Sequence, residues 1–457
     1  MKVATRRSTT WWGSSSRSAT STFVGGRSVL WPPSSSCLTS GSGVLGVRRQ
    51  WFAAKAGKQQ QTQQAAGGQA SALSYFVART ASNGCGIVGM PNVGKSTLFN
   101  ALTSSQRARA ENFPFCTIEP NSGMVWVPDP RLDTLAALAN SKRILPCQME
   151  FVDIAGLVAG ASKGEGLGNK FLAHIRNVSM ILQVVRCFEG ADGTEQVTHV
   201  EGSVDPARDM EIINTELLLA DLESLTTARA KLEKRTKLDA EAQKRLDLMH
   251  RTIAVLDEGQ PARSVLISAE EWPTFHAFQL LTSKPVVYCC NVKEEEAATG
   301  NAMVEQVKQA VLKEEPGVDP NERVLVVSAK LESELANMES VEDRKSFLEL
   351  YGLSEADAGL PKVIRATRQL LQQHQFFTVG ETEARAWNIP KGTTAVDAAA
   401  TIHTDFAKGF VKAETIAFAD FVAAGGEKRA KELGKVRFEG TSYVVQDGDI
   451  ILFHHRK

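Results

Sequence analysis

Eight consecutive residues have the types and spacing needed to hold a phosphate chain. Gly89-Met90-Pro91-Asn92-Val93-Gly94-Lys95-Ser96 matches G-x-x-x-x-G-K-[ST] at every fixed position. Gly89 and Gly94 allow backbone N–H groups to turn inward around phosphate oxygens. Lys95 can reach the β- and γ-phosphates, and the Ser96 hydroxyl can ligate Mg2+. The apolar run Cys85–Val88 reads as a strand leading into the loop, and Thr97–Leu102 reads as a helix leaving it. The helix N-terminus adds partial positive charge where the phosphates would sit. Gly89, Asn92, Val93, Gly94, Lys95, Ser96 and Thr97 are the candidate phosphate-side residues. Lys95 is also a candidate catalytic group, because it can stabilise charge that develops during phosphoryl transfer.

A metal shell and a γ-phosphate sensor are expected downstream. Gln148–Val152 reads as a strand ending in Asp153-Ile154-Ala155-Gly156. An Asp at such a strand end helps hold the Mg2+ shell, and the glycine N–H senses the γ-phosphate. Between the two motifs, Phe113-Pro114-Phe115-Cys116-Thr117 places Thr117 where a hydroxyl could close over the metal. Ser96, Thr117 and Asp153 are thus the candidate metal residues. Leu157 follows Gly156, at the position where Ras-type enzymes carry a water-orienting Gln. Leucine offers no group that orients water, so the attacking water needs another partner. Asn92 is a candidate K+ ligand near the phosphates and equally a structural loop Asn.

The base side is carried by two later strand ends. Pro285–Cys290 reads as a buried strand ending in Asn291-Val292-Lys293-Glu294. A guanine-reading N-K-x-D motif uses its Asp to accept from guanine N1–H and N2–H2, donors that adenine lacks. Here Val292 stands for the Lys and Glu294 for the Asp, which argues for ATP over GTP. Val324–Val327 reads as a further strand ending in Ser328-Ala329-Lys330, the usual position of the last base-side loop. Asn291, Val292, Glu294, Ser328 and Ala329 are the candidate base-side residues, with Gly156 completing the nucleotide set.

The strand, glycine loop and helix in sequence are the context of an α/β P-loop domain, expected over 81–375. Two helical patterns interrupt it, in an insertion over about 206–282. Ala242, Leu246, Met249, Ile253 and Leu256 recur at spacings of 4, 3, 4 and 3, and Leu218, Leu222, Leu225 and Leu232 fit the same rhythm. An antiparallel hairpin follows, with Ser268–Glu271 as a capping box for the helix leading back. The hairpin tip carries Arg229, Lys231, Lys234, Arg235, Lys237, Lys244 and Arg245 against three acids, and can meet RNA phosphates. From Phe376 to 457 the pattern changes to short strands, including Trp387–Pro390 and Tyr443–Val445, with Asp447-Gly448 as a hairpin-turn signal. His403 reads as structural.

The 457 residues carry 52 basic and 52 acidic side chains, a formal charge of zero. That balance hides an asymmetry: residues 1–80 hold ten Lys or Arg and no acid. Basic, Ser-rich and acid-free is the composition of an organellar transit peptide. The expected destination is the mitochondrial matrix, with plastid or cytoplasm as alternatives, and Arg48–Phe52 as a candidate cleavage region. No window of about 18 apolar residues occurs, so membrane insertion is not expected. The seven cysteines form no CxxC pair, which argues against a zinc site or a disulfide framework.

Gly89–Ser96, Asn112–Pro120, Phe151–Gly168 and Asn291–Glu294 together resemble the Obg-like ATPase family, whose bacterial members are called YchF. The resemblance runs from about Cys85 to the C-terminus. It implies a GTPase-like P-loop domain with a helical-hairpin insertion and a C-terminal, β-grasp-like TGS domain, with Ile402–Phe410 similar to the TGS helix. It also implies slow Mg-dependent ATP hydrolysis and association with the ribosome. The family's catalytic His corresponds to His199, and a histidine that titrates near neutrality can orient or deprotonate water. His174 is the competing candidate, though a role in local packing suits it better. Two alternatives stay open: an Obg- or DRG-type GTPase of ribosome assembly, and a nucleotide-gated RNA-binding factor that does not turn over.

Overall fold

The computed structural model describes residues 70–79, 84–110, 121–154, 167–189, 203–234, 239–355 and 357–456. The expectations placed on Thr117, Gly156, Leu157 and His199, and on Arg235 and Lys237 at the hairpin tip, lie outside these residues.

Six strands form the nucleotide-domain sheet: β1 Gly84–Val88, β2 Ser122–Val127, β3 Cys147–Asp153, β4 Met180–Arg186, β5 Val286–Asn291 and β6 Val324–Val327. Their spatial order is β2-β3-β1-β4-β5-β6. Only β2 against β3 is antiparallel; the remaining pairs are parallel. Strands β1, β4 and β5 are buried along their whole length. This explains why they read as continuous apolar runs: a parallel strand covered on both faces has no solvent side to alternate with. Parallel order also brings the ends of β1, β3, β5 and β6 to one rim, where ligands bind such sheets. The five described cysteines are free and buried.

The insertion is the expected pair of helices, Pro206–Glu233 and Ala240–Asp257. Each begins on an aspartate cap: Asp205 accepts from Arg208 N, and Asp239 from Ala242 N at 2.7 Å. Leu218, Leu225, Leu246, Met249, Ile253 and Leu256 are buried, and Leu248 and Thr252 join them, so the seam is wider than the 4-3 pattern. Ser268 and Glu271 exchange the two reciprocal capping bonds, Ser268 N to Glu271 Oε2 at 2.9 Å and Glu271 N to Ser268 Oγ at 3.3 Å. Asp221 anchors the base of the insertion. Its carboxylate accepts from Leu281 N, Thr282 N and Thr282 Oγ1 at 2.8, 2.8 and 2.6 Å. Burial pushes its pKa up to about 6 against these three donors.

Residues 70–79, assigned to the leader by composition, are folded onto this insertion. Ala70–Ser71 pairs antiparallel with Leu266–Ile267, and the helix Ala72–Arg79 buries Ala72 and Phe76. The Phe76 ring meets Trp272 edge-on, with centroids 6.1 Å apart. An apolar pair at i, i+4 seats this turn of helix, a signal too short to stand out in an acid-free stretch.

The C-terminal sheet contains β7 Gln373–Val379, β8 Ala384–Pro390, β9 Phe410–Ala417, β10 Arg437–Glu439 and β11 Asp449–His455, in the order β10-β9-β11-β7-β8. The short strand Ile144–Leu145 of the nucleotide domain extends it beyond β8. Three expectations change here. Tyr443–Val445 is not a strand; Val444 makes one isolated bridge to Thr394. Asp447-Gly448 is a turn but not a hairpin turn, because β11 pairs with β9 and β7 and with no strand directly before it. Asp447 instead accepts from Gln375 N at 2.8 Å and pairs with Arg131 of the nucleotide domain at 2.7 Å. The helix sought over Ile402–Phe410 ends earlier, at Ala395–Ile402, and a second short helix follows over Thr404–Lys408. His403 caps that second helix, its Nδ1 accepting from Asp405 N at 3.2 Å, as befits a structural histidine.

Removing the Asp221 carboxylate would leave three buried donors without an acceptor. Asp221→Ala is therefore expected to destabilise the protein by about 3 kcal/mol, read as a lower urea midpoint with an unchanged slope. An unchanged midpoint would show that the insertion does not depend on this anchor.

Candidate functional site

The phosphate loop follows β1 and is pressed against the sheet. A Cβ at Gly89 would lie 2.5 Å from the Val184 carbonyl oxygen of β4, so no side chain fits there. Gly94 has φ +98, and a Cβ on it would lie 2.4 Å from Asn291 Nδ2. Asn92 adopts φ 62, a left-handed conformation that Asn tolerates better than most residues, which gives a structural reason for Asn at this exposed position. Val93 is buried in the core and offers the site its backbone, whereas Thr97 is exposed at the start of the helix Lys95–Ala110.

Lys95 is buried, and its Nζ donates to the Met90 carbonyl at 2.7 Å. Burial pushes its pKa down and the Asp153 charge opposes that shift. The ammonium thus closes its own loop, in a place where a phosphate oxygen would compete with a neutral carbonyl. A full negative charge accepts more strongly from an ammonium than a carbonyl does.

Ser96 and Asp153 meet although they lie 57 positions apart, with Ser96 Oγ donating to Asp153 Oδ2 at 2.8 Å. The meeting follows from the topology. β1 and β3 are neighbours, with Ile87 opposite Asp153, so both strand ends reach the same rim. Asp153 N is fixed by the Asn121 carbonyl at 2.8 Å, and the other carboxylate oxygen, Oδ1, is buried without a hydrogen-bond partner. An orphaned carboxylate oxygen beside a hydroxyl is a hard, anionic donor set that fits Mg2+.

The base-side loops are held by one amide. Asn291 ends β5 and is buried; its Nδ2 donates to the Val93 carbonyl at 2.9 Å, and its Oδ1 accepts from Ala329 N at 2.9 Å. Val292 is buried too, and its N–H donates to the Val327 carbonyl at 3.0 Å. Ser328 Oγ accepts from Leu331 N at 3.4 Å, capping the helix Ala329–Asn337. The polar groups of Asn291, Ser328 and Ala329 named here are therefore engaged in shaping the site. Glu294 is the acid near the rim: its carboxylate pairs with Lys330 Nζ at 2.5 Å. Burial would raise Glu294, but the Lys330 contact and its own backbone N–H hold it below the ordinary glutamate value.

The structure thus brings Gly89, Asn92, Val93, Gly94, Lys95, Ser96, Asp153, Asn291, Val292, Glu294, Ser328 and Ala329 to one rim. His174 is exposed in the last turn of the helix Leu167–Asn177. Two participants went unread in the sequence. Lys330 stood in the last base-side loop with no role assigned to it. Asn301 donates to the Cys187 carbonyl at 2.7 Å and caps the helix Ala302–Glu314; a Gly-Asn step before an apolar run was its signal.

Comparison with known proteins extends this picture over most of the chain. Residues 84–216 match the family model described as 50S ribosome-binding GTPase. Residues 373–456 match the model of the YchF GTPase C-terminal domain, described as a protein of unknown function. The ribosome-binding ATPase YchF of Haemophilus ducreyi is 50% identical over 370 residues, covering 81% of this chain and 98% of that protein. The protein of the same name in Bacillus subtilis is 47% identical over 80% of this chain and 98% of its own. Obg-like ATPase 1 of Rattus norvegicus is 44% identical, covering 80% and 91%. Among solved structures, the Schizosaccharomyces pombe YchF GTPase superposes with a TM-score of 0.73 at 36% identity, over 82% of this chain and 99% of that one.

Proposed function

This chain belongs to the YchF family of Obg-like ATPases, and from that premise we propose that it is a slow, Mg-dependent ATPase whose nucleotide state governs its association with the ribosome. The observation that carries the hydrolase reading is the Ser96–Asp153 pair beneath a complete phosphate loop, with Asp153 Oδ1 left free of partners. The family resemblance and the names of relatives at about half identity support the ATP and ribosome assignments.

Held by Ser96 and Asp153, Mg2+ would supply charge neutralisation at the terminal phosphates. The chain's own groups do the rest. Backbone N–H groups of the loop Gly89–Lys95 and the N-terminus of the following helix cradle the phosphates. Lys95 exchanges the Met90 carbonyl for a phosphate oxygen. Ser96 and Asp153 would hold the metal, and Thr117 and Gly156, outside the described residues, are the proposed further metal ligand and γ-phosphate sensor. Leu157 supplies no water-orienting group, so His199 positions the attacking water. Asn92 remains a candidate K+ ligand beside the phosphates.

The C-terminal sheet, with the helix Ala395–Ile402 on one face, is read as a TGS module. It is tied to the nucleotide domain by Arg131, which bridges Asp129 and Asp447, and by Arg368 near the same two acids. Exposed Lys231, Lys234, Lys244 and Arg245 near the hairpin tip support reading that prong as the RNA-facing element. Reversing these four charges should abolish cosedimentation with ribosomes at moderate salt; unchanged cosedimentation would place the contact elsewhere. The acid-free leader supports targeting to the mitochondrial matrix. Import of residues 1–69 fused to a reporter tests this, and a cytosolic reporter would refute it.

The deciding experiment is a parallel titration of ATP and GTP, followed by single-turnover hydrolysis. ATP should bind more tightly, and His199→Ala should lower the hydrolysis rate by about 10²-fold or more with ATP affinity kept. Preference for GTP would overturn the base assignment. An unaffected His199→Ala rate would remove that residue from the mechanism.

A further inference from the structure

We infer that Lys330 is a specificity-determining residue of the nucleotide site: its ion pair with Glu294 withholds a carboxylate at the rim that could read guanine. The inference deepens the proposed ATP site and rests on it.

The argument starts from where the two residues sit. Glu294 opens the 3-10 turn Glu294–Glu296 just after β5, and Lys330 lies in the first turn of the helix Ala329–Asn337 just after β6. The two loops are already cross-linked by Asn291 Oδ1 accepting from Ala329 N and by Val292 N donating to the Val327 carbonyl. That backbone registry carries Lys330 to the side of Glu294, where Nζ and Oε1 lie 2.5 Å apart. The Glu294 side chain is only 16% exposed, whereas that of Lys330 is 72% exposed. The carboxylate is therefore tucked between the loops, and the lysine reaches over it from solvent.

The chemistry of the two purines then differs at this carboxylate. Guanine presents N1–H and N2–H2, which require an anionic acceptor with free lone pairs. Adenine presents the N1 lone pair on the same edge, which an unneutralised carboxylate repels. With the ammonium on Glu294, the acceptor is partly consumed and its charge is offset, which disfavours guanine and spares adenine. The device is negative selection against the wrong base by occupying a reader rather than deleting it. Its size is bounded by its exposure. A solvent-facing ion pair shifts an equilibrium by about twofold to fivefold, and salt weakens it.

The test is the ratio of dissociation constants for non-hydrolysable ATP and GTP analogues, measured calorimetrically on the full chain at low salt. The variants are Lys330→Met, Glu294→Gln and the double substitution. Lys330→Met should move the ratio toward GTP by about twofold to fivefold, and the shift should vanish in the Glu294→Gln background. Lys330→Arg should behave like the unaltered protein. A ratio unchanged by Lys330→Met, or a shift that persists without the Glu294 carboxylate, overturns the inference. The ratio separates this inference from the base assignment beneath it. An unaltered protein that prefers GTP refutes the assignment, and failure of the ratio to move refutes Lys330. If neither analogue binds, the nucleotide site falls and the inference with it.

Discussion

The site depends on a single buried amide. Asn291 holds the Val93 carbonyl with one end and the Ala329 N–H with the other, at 2.9 Å each. The first contact belongs to the phosphate loop and the second to the last base-side loop, almost 240 positions further along the chain. A base and a triphosphate are joined covalently in a nucleotide, so the two half-sites must keep a fixed separation. Two loops that moved independently would pay for that registry with binding energy. Gly94 is part of the same constraint, because any side chain there would displace the amide.

Around this fixed point, buried polar contacts tie neighbouring segments to the nucleotide domain. Lys284, at the foot of β5, donates to the carbonyls of Arg176 and Val178, where the helix Leu167–Asn177 ends and β4 begins. Burial pushes its pKa down to about 8, with Asp221 opposing that shift. Asp221 in turn belongs to the first insertion helix and grips Leu281 and Thr282. A chain of buried polar contacts therefore runs from the helix that follows the Asp153–Gly156 motif into the hairpin. The C-terminal domain is held differently, through the Arg131, Asp129 and Asp447 cluster and the strand Ile144–Leu145. Arg131 also stacks on the Phe377 ring, 5.2 Å from its centroid, so the cluster joins ionic and aromatic contacts.

What could be read in advance was whatever has a local signature. The phosphate loop, the buried parallel strands, the helical seam and the Ser268–Glu271 capping box are each written in a few adjacent residues, and the structure reproduces them. Contacts set by tertiary register were not legible. Nothing near Lys330 names Glu294 as its partner, because they meet through the pairing of β5 with β6. Asp447-Gly448 has the composition of a hairpin turn, yet no strand directly before it pairs with β11, and Asp447 binds Gln375 and Arg131. Residues 70–79 were hidden by composition: two apolar side chains seat them on the insertion within a stretch that otherwise reads as a leader.

The most direct test of this account removes the amide that ties the two half-sites together. In Asn291→Asp the Ala329 N–H keeps an acceptor, while the donor to the Val93 carbonyl becomes a repelling oxygen. The measurement is equilibrium affinity for ATP and GTP analogues with folding checked by thermal denaturation. The account predicts that both affinities fall together by about tenfold or more, as expected when a buried hydrogen bond to a carbonyl is replaced by a carboxylate facing that carbonyl, with their ratio little changed. Undiminished binding of both nucleotides would contradict it, and so would a loss confined to one base.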